Sequence, residues 1–205
     1  MSSLAAAERA ALLDLMTDAG PDSPTLCAGW TTYDMAAHLV VRERRPQAVP
    51  GLVIGALHPV TARLEERART RSYDELLGLL RVGAPLWSPV RWVDDLHEFY
   101  VHHEDVRRPL DPGPRRSGAE LDGALWKRLR VLGPLFAARA RGLGIVLADP
   151  AGRTMRVHRG PQEAVLRGTP RELFLWMFGR RGAADVAVEG SPAAVERVRT
   201  APIGP

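Results

Sequence analysis

The chain has 205 residues, 45% hydrophobic and 25% charged, with a net charge of +4 and one cysteine. That length and apolar content suffice for a buried core in one large domain or two small ones, and the lone Cys27 excludes both an internal disulfide framework and a zinc site built on paired cysteines. The charge comes from arginine scattered along a chain whose only lysine is Lys127, without a basic stripe interleaved with aromatics, so nucleic acid is not an expected partner. Uncharged stretches are too short for a membrane span and the N-terminus lacks a basic-then-apolar signal, so a soluble cytoplasmic protein is expected.

In chain order, Ser2 or Ser3 can cap a first helix to about Asp18, with Leu12, Leu15 and Met16 inward and Gly20-Pro21 as its stop. After a loop, Trp30-Thr31-Thr32-Tyr33-Asp34-Met35 reads as a helix start, with Thr31 as N-cap, Asp34 three residues on, and Trp30 stapled against Met35. His38 lies one turn later among Met35, Leu39 and Val41 and faces inward; Pro46 stops this second helix after Arg45. Residues 47–59 read as a loop, 61–70 and 73–82 as a third helix bent near Arg71-Ser72, and 92–108 as a fourth helix after Pro85 and Pro89. Four helical segments with long connections suit a bundle.

Pro109-Leu110-Asp111-Pro112-Gly113-Pro114 is the clearest break in the chain. Beyond it, 118–141 is helical in pattern, with Gly133-Pro134 as a kink, and the period then changes. Residues 145–147, 154–158, 164–167 and 185–189 read as short strands, the first two joined by a turn at Asp149-Pro150-Ala151-Gly152. Thr169-Pro170 and Ser191-Pro192 open two further helices. The expected fold class is therefore α+β: a helical domain over 1–112, whose last helix is alternatively drawn from 118–141, and a small α+β domain over 142–205.

The chemistry concentrates in 92–108, which places Glu98, His102 and Asp105 at i, i+4 and i+7, one stripe of a helix. Leu96, Phe99, Val101 and Val106 flank the stripe, so it falls on the face to be buried, whereas His97, Glu104, Arg107 and Arg108 point elsewhere. A buried carboxylate and imidazole cost several kcal/mol unless paired, hydrogen-bonded or bound to a cation. With His38 as a third donor from another helix, two imidazoles and one carboxylate match a zinc site with an open fourth position; iron, cobalt or nickel also fits. Asp105 or Asp34 is then the acceptor for the second ring nitrogen. The plainer reading is a helix ion pair plus a satisfied core histidine. His103 substitutes for His102 if the helix phase differs; His58, in a loop, and His158, on a strand, read as structural or solvent-facing, and Cys27 as a buried small hydrophobe, with a reactive thiol near the metal as the alternative. Arg180 and Arg181, after the aromatic run Phe174 to Phe178, suit either an anionic substrate or an exposed helix end.

Three segments resemble one family. Leu26-Cys27-Ala28-Gly29-Trp30-Thr31 with Asp34 and His38, then Glu98, His102 and Asp105, then Leu175-Trp176-Met177-Phe178-Gly179-Arg180 followed by Val186-Ala187-Val188-Glu189-Gly190, are similar in order and spacing to the mycothiol-dependent maleylpyruvate isomerase family of the DinB-like metalloproteins. The shorter middle region and the Pro-rich segments at 85–89 and 109–114 place the chain closer to an actinobacterial branch of uncharacterised metal-binding members. The resemblance implies a DinB-like four-helix bundle holding zinc through His38, Glu98 and His102, and a sterol-carrier-like C-terminal domain. It also implies a catalytic arginine at Arg180, with Arg181 as the alternative register.

The expected function is a zinc enzyme in which mycothiol, bound as thiolate, attacks a small electrophile in an isomerisation or thiol transfer. The rival is a non-catalytic metal-binding or ligand-carrying protein whose metal fastens the bundle, and a weaker third reading is a hydrolase using metal-bound water.

Overall fold

The computed structural model describes residues 3–45, 58–92, 94–115 and 118–205. The chain divides into two compact units, Met1–Asp111 and Pro112–Pro205. Among the described residues, no helix is long and apolar enough to cross a membrane.

The first unit contains helices α1 (Ser3–Ala19), α2 (Thr32–Arg44), α3 (His58–Ala68), α4 (Tyr73–Val82) and α5 (Leu96–Leu110). Gly20, at φ 75°, ends α1 in a conformation that favours glycine. Helix α2 starts as expected: the Thr31 side chain accepts from the Asp34 N–H while the Asp34 carboxylate accepts from the Thr31 N–H. The segment expected to be one bent helix is two helices, because Ser72 and Glu75 form a second capping box that starts α4 afresh. Helix α3 begins at His58, before the expected start at 61, so His58 belongs to a helix and not to a loop; Pro59 sits in the first turn, where its missing N–H costs nothing. Most of the loop expected over 47–59 lies outside the described residues.

The last helix of this unit starts later than 92. A 3-10 turn (Pro89–Trp92) precedes it, and α5 opens at Leu96 with Asp95 in the cap position but without a side-chain cap bond. Asp95 is instead taken by Arg42, whose two Nη atoms donate to its carboxylate at 2.7 and 3.0 Å. Helix α5 packs along α1, and α2 packs on α3 and α4. Between them lies one apolar core that includes Leu12, Met16, Met35, Leu39, Leu76, Leu77, Leu80, Phe99 and Val106. Of the inward set expected for α1 and α2, Leu12, Met16, Met35, His38, Leu39 and Val41 are buried, whereas Leu15 is half-buried and Leu13 takes a core position instead.

The second unit begins with α6 (Ala119–Ala137), which packs on helix α7 (Pro170–Met177) and strand β2. The alternative of this helix completing the bundle of the first unit is therefore not what the chain does: Leu125, Leu129 and Phe136 are buried within the second unit. Its sheet runs β2 (Thr154–His158), β1 (Leu143–Ala148), β3 (Gln162–Arg167), β4 (Ala187–Gly190). The β1–β2 and β3–β4 pairs are antiparallel and the central β1–β3 pair is parallel. The turn from β2 to β3 passes directly over the start of β1 at Gly160, where a Cβ would meet the Leu143 carbonyl carbon at 2.3 Å. Only glycine fits there. Helix α8 (Pro192–Thr200) closes the unit against β3, β4 and β1. Phe136, Phe174 and Phe178 meet at ring-centre distances of 5.4 to 6.3 Å, so the aromatic run of α7 is core. The architecture is α+β, as expected.

Candidate functional site

Helices α2, α3 and α5 converge on a buried polar cluster in the first unit. His38, on α2, and His102, on α5, meet edge to face with ring centres 5.3 Å apart, and Trp30 stands against the other side of His38 at 5.2 Å. The Nε2 of His102 lies 3.4 Å from Glu98 Oε2, one turn earlier on the same helix. The structure therefore brings together His38, Glu98 and His102, from segments more than fifty residues apart.

Each imidazole is held from behind by a buried carboxylate. His38 Nδ1 is 2.8 Å from Glu65 Oε1 on α3, and His102 Nδ1 is 3.0 Å from Asp105 Oδ2. An ionised carboxylate only accepts, so Nδ1 carries the proton in both rings, and a neutral ring then leaves Nε2 as a lone pair. Asp105 fills the accepting role expected of it or of Asp34; Asp34 is committed to the Thr31 cap and to Arg69 Nε at 2.8 Å. Glu65 had no signal in the sequence beyond being an acid on a helix, since its partner lies 27 residues away. Cys27 also joins the cluster: its Sγ is 3.5 Å from Asp105 Oδ2, and the neighbouring Leu26 N–H donates to the Asp105 carbonyl at 2.9 Å.

The charges are balanced locally. Burial raises the cost of ionising Glu98, but hydrogen bonding to His102 and the positive charge of Arg42, 3.6 Å away, together hold its pKa well below the usual carboxylate range. Burial first, and then the charge of His102, push the His38 imidazole down, with Glu65 and Glu98 opposing. Burial also disfavours charge on His102, yet the Asp105 and Glu98 carboxylates outweigh it and raise its pKa above the ordinary imidazole value. Among the described residues, no three His, Cys, Asp or Glu side chains already stand as a group that could hold a metal ion. The Arg42 guanidinium, with Nε 3.6 Å from Glu98 Oε2, supplies a permanent positive charge beside it.

Other sequence candidates sit elsewhere. His103 is buried and paired with Glu8 on α1 at 3.0 Å, so it fastens α5 to α1 and does not replace His102. Glu104 and Arg108, expected to point away from the core, are buried and paired with each other through Arg108 Nε at 2.6 Å. The helical phase was right, but α5 is covered on more than one face. His158 binds the Leu143 carbonyl at 2.6 Å and is structural.

In the second unit, Arg180 contacts the Phe178 carbonyl at 3.1 Å and lies over the Phe178 ring. Arg181 is used differently. Its guanidinium donates to the carbonyls of Arg199, Ala201 and Ile203 and covers Trp176, which ties the end of the chain to α7.

A helical unit with a buried Glu-His-His cluster followed by an α+β unit defines a class, and comparison with known proteins gives that class a family. Residues 3–88 match the family model described as the mycothiol maleylpyruvate isomerase N-terminal domain. The first unit is thus similar to that family's N-terminal domain, in agreement with the resemblance read from the sequence. Among solved structures, the chain is similar to a mycothiol-dependent maleylpyruvate isomerase, at TM-score 0.55 and 16% identity over 91% of this chain and 90% of the other. A histidine-to-alanine mutant of such an isomerase gives a TM-score of 0.57 at the same identity and coverage. At that identity the likeness establishes the shared fold. No curated protein sequence matches significantly.

Proposed function

We propose that this protein is a thiol-dependent enzyme, using mycothiol to isomerise or transfer to a small electrophile, with a divalent metal, zinc in the first instance, held by His38, Glu98 and His102. The observation that carries the reading is the pair of imidazoles whose Nδ1 atoms are each occupied by a buried carboxylate. That is the arrangement in which outer carboxylates fix the tautomer and orientation of metal-binding histidines.

Two distances support the donor set. Two imidazoles on one tetrahedral ion, at metal–nitrogen bonds of about 2.0–2.1 Å, have ring centres about 5.1 Å apart; His38 and His102 stand at 5.3 Å. Donor atoms on adjacent corners of such a site are about 3.3 Å apart; His102 Nε2 and Glu98 Oε2 are at 3.4 Å. The two distances support these residues as donors, and the thiol dependence is supported by the match of residues 3–88 to the mycothiol maleylpyruvate isomerase N-terminal domain.

A divalent ion in that place supplies Lewis acidity that favours the thiolate of a bound thiol. The chain's own residues then have separable roles. Glu65 and Asp105 orient the two rings through Nδ1, which would leave each Nε2 to the ion, and Arg42 fixes Glu98 and balances its charge. The Trp30 ring covers His38 with an apolar surface, which strengthens the electrostatic contacts beside it. The thiolate sulfur adds to an electrophilic carbon of a conjugated double bond, the new single bond rotates, and expulsion of the same thiolate restores the double bond in the other geometry. If a different group leaves, the outcome is thiol transfer. Arg180 is the proposed partner for a substrate carboxylate or the enolate that develops during attack.

The test measures zinc content and mycothiol-dependent turnover of maleylpyruvate and related electrophiles by wild type and by His38→Ala. Zinc near one equivalent in wild type, lost with the activity in His38→Ala while the fold is retained, is the expected result. Zinc that is required for folding, with no turnover of any electrophile with or without thiol, favours a fastening metal instead. Turnover without thiol points to hydrolysis by bound water.

A further inference from the structure

A cavity of about 510 Å³ opens between the C-terminal part of α2, helix α3, and the outer side of α4, away from the histidine cluster. Its lining includes four arginines, Arg44, Arg45, Arg67 and Arg71, and no carboxylate. Among the described residues, Arg45, Arg67 and Arg71 are exposed and none has a carboxylate partner, although carboxylates neutralise most other arginines of this unit, such as Arg9, Arg42 and Arg69. Four like charges around one cavity repel each other, and among the described residues no carboxylate lines it.

A second observation bears on the same place. Arg44 donates from Nη2 to the carbonyls of Leu79 and Gly83 at 3.0 and 3.1 Å, which fixes its guanidinium against the end of α4. Its Nε–H is nevertheless buried without any hydrogen-bond partner. A buried donor left unsatisfied costs about 1–3 kcal/mol and is uncommon without an unseen partner. The opposite wall is apolar: Val40, Leu64 and Leu79 line it, with the Trp87 ring 63% exposed at the rim.

We propose that this cavity binds a small organic oxyanion with at least two negative charges, its phosphate or carboxylate head on the arginines and its apolar body against Leu64, Leu79 and Trp87. The volume suits a small molecule. Arginine's planar fork recognises both head groups. The site is independent of the metal centre: His38, Glu98 and His102 do not line it, so its failure or success leaves the thiol reading untouched.

Calorimetric titration of the full chain at about 0.15 M salt tests this with three probes, pyrophosphate, citrate and naphthyl phosphate, because weak surface attraction is screened there. Saturable binding of one probe per chain is expected. An Arg67→Gln/Arg71→Gln variant, altered at exposed positions that leave folding intact by circular dichroism, is expected to weaken it about 30-fold. An Arg81→Gln/Arg91→Gln variant, altered at another arginine-lined cavity, is expected to bind as wild type does. Preference for pyrophosphate assigns a phosphate head and preference for citrate a polycarboxylate head; both support the site, as does tighter binding of naphthyl phosphate than of the other two. Undiminished binding by the first variant, loss in the second instead, or absence of saturable binding of all three probes overturns it. So does a short DNA duplex that binds more tightly than every probe and displaces them.

Discussion

Glu65 and Asp105 decide how the two histidines present themselves. Each takes the Nδ1 proton of one ring, so each is a positioning residue that acts through an imidazole. Glu65→Gln and Asp105→Asn are expected to lower zinc affinity about 10- to 100-fold while leaving zinc binding detectable, measured by competition with a chelator. His102→Ala removes a donor and is expected to abolish it. Equal, small effects of all three would mean that the ion is held elsewhere. The proposed donors were legible as a group in the sequence because i and i+4 spacing puts Glu98 and His102 on one stripe, and the Thr31 cap sets the phase of α2 that turns His38 inward. Glu65 was not legible. A carboxylate on a different helix reveals its partner only once the helices are packed, and nothing local distinguishes Glu65 from the exposed Glu66 beside it.

Helix α2 is the element that both places His38 and carries two charged anchors. At its start, the Thr31 N–H and side chain and Arg69 stabilise the Asp34 carboxylate, and against the cost of burial they hold its pKa below the ordinary 3.8. A carboxylate with a depressed folded pKa adds stability that is fully present above the unfolded value and is lost as pH falls through the folded one. Asp34→Ala is therefore expected to cost about 1 kcal/mol at neutral pH, in urea or thermal melts, and progressively less as the medium is acidified below pH 4. A cost that does not shrink in acid would assign the effect to packing. Further along the helix, Arg42 and Asp95 form a two-pronged buried pair. Arg42→Ala strands the Asp95 charge and is expected to destabilise the first unit by about 3–5 kcal/mol. That pair also explains why α5 begins at Leu96 and not at 92: Asp95 accepts from Arg42 and is not spent on the helix N–H groups. The sequence showed the apolar period of α5 clearly, but the choice between a local cap and a distant arginine is a tertiary one.

At the scale of the whole molecule, the break at 109–114 was readable from its three prolines, and the change from helical to strand period from the spacing of the short apolar runs after residue 142. The allegiance of α6 was not, because its stripe of Leu125, Leu129 and Phe136 suits a bundle or a sheet face equally well. The two arginines after α7 separate only in three dimensions. Arg181 clamps the chain end through three carbonyls, so Arg181→Ala is expected to cost about 1–3 kcal/mol of stability in the second unit with turnover per folded molecule unchanged. Arg180→Ala is expected to do the reverse, leaving the melting temperature near wild type and lowering kcat/KM at least about 100-fold. Reversed outcomes would transfer the proposed substrate contact to Arg181.

The central claim, that His38, Glu98 and His102 gather one ion which receives a thiol, is tested most directly by zinc-edge X-ray absorption of the loaded protein before and after mycothiol is added. The expected spectrum contains two imidazole nitrogens and oxygen ligands without sulfur at first, and gains one sulfur at about 2.3 Å with the thiol. Zinc without imidazole ligands, or a first shell unchanged by mycothiol, would contradict it.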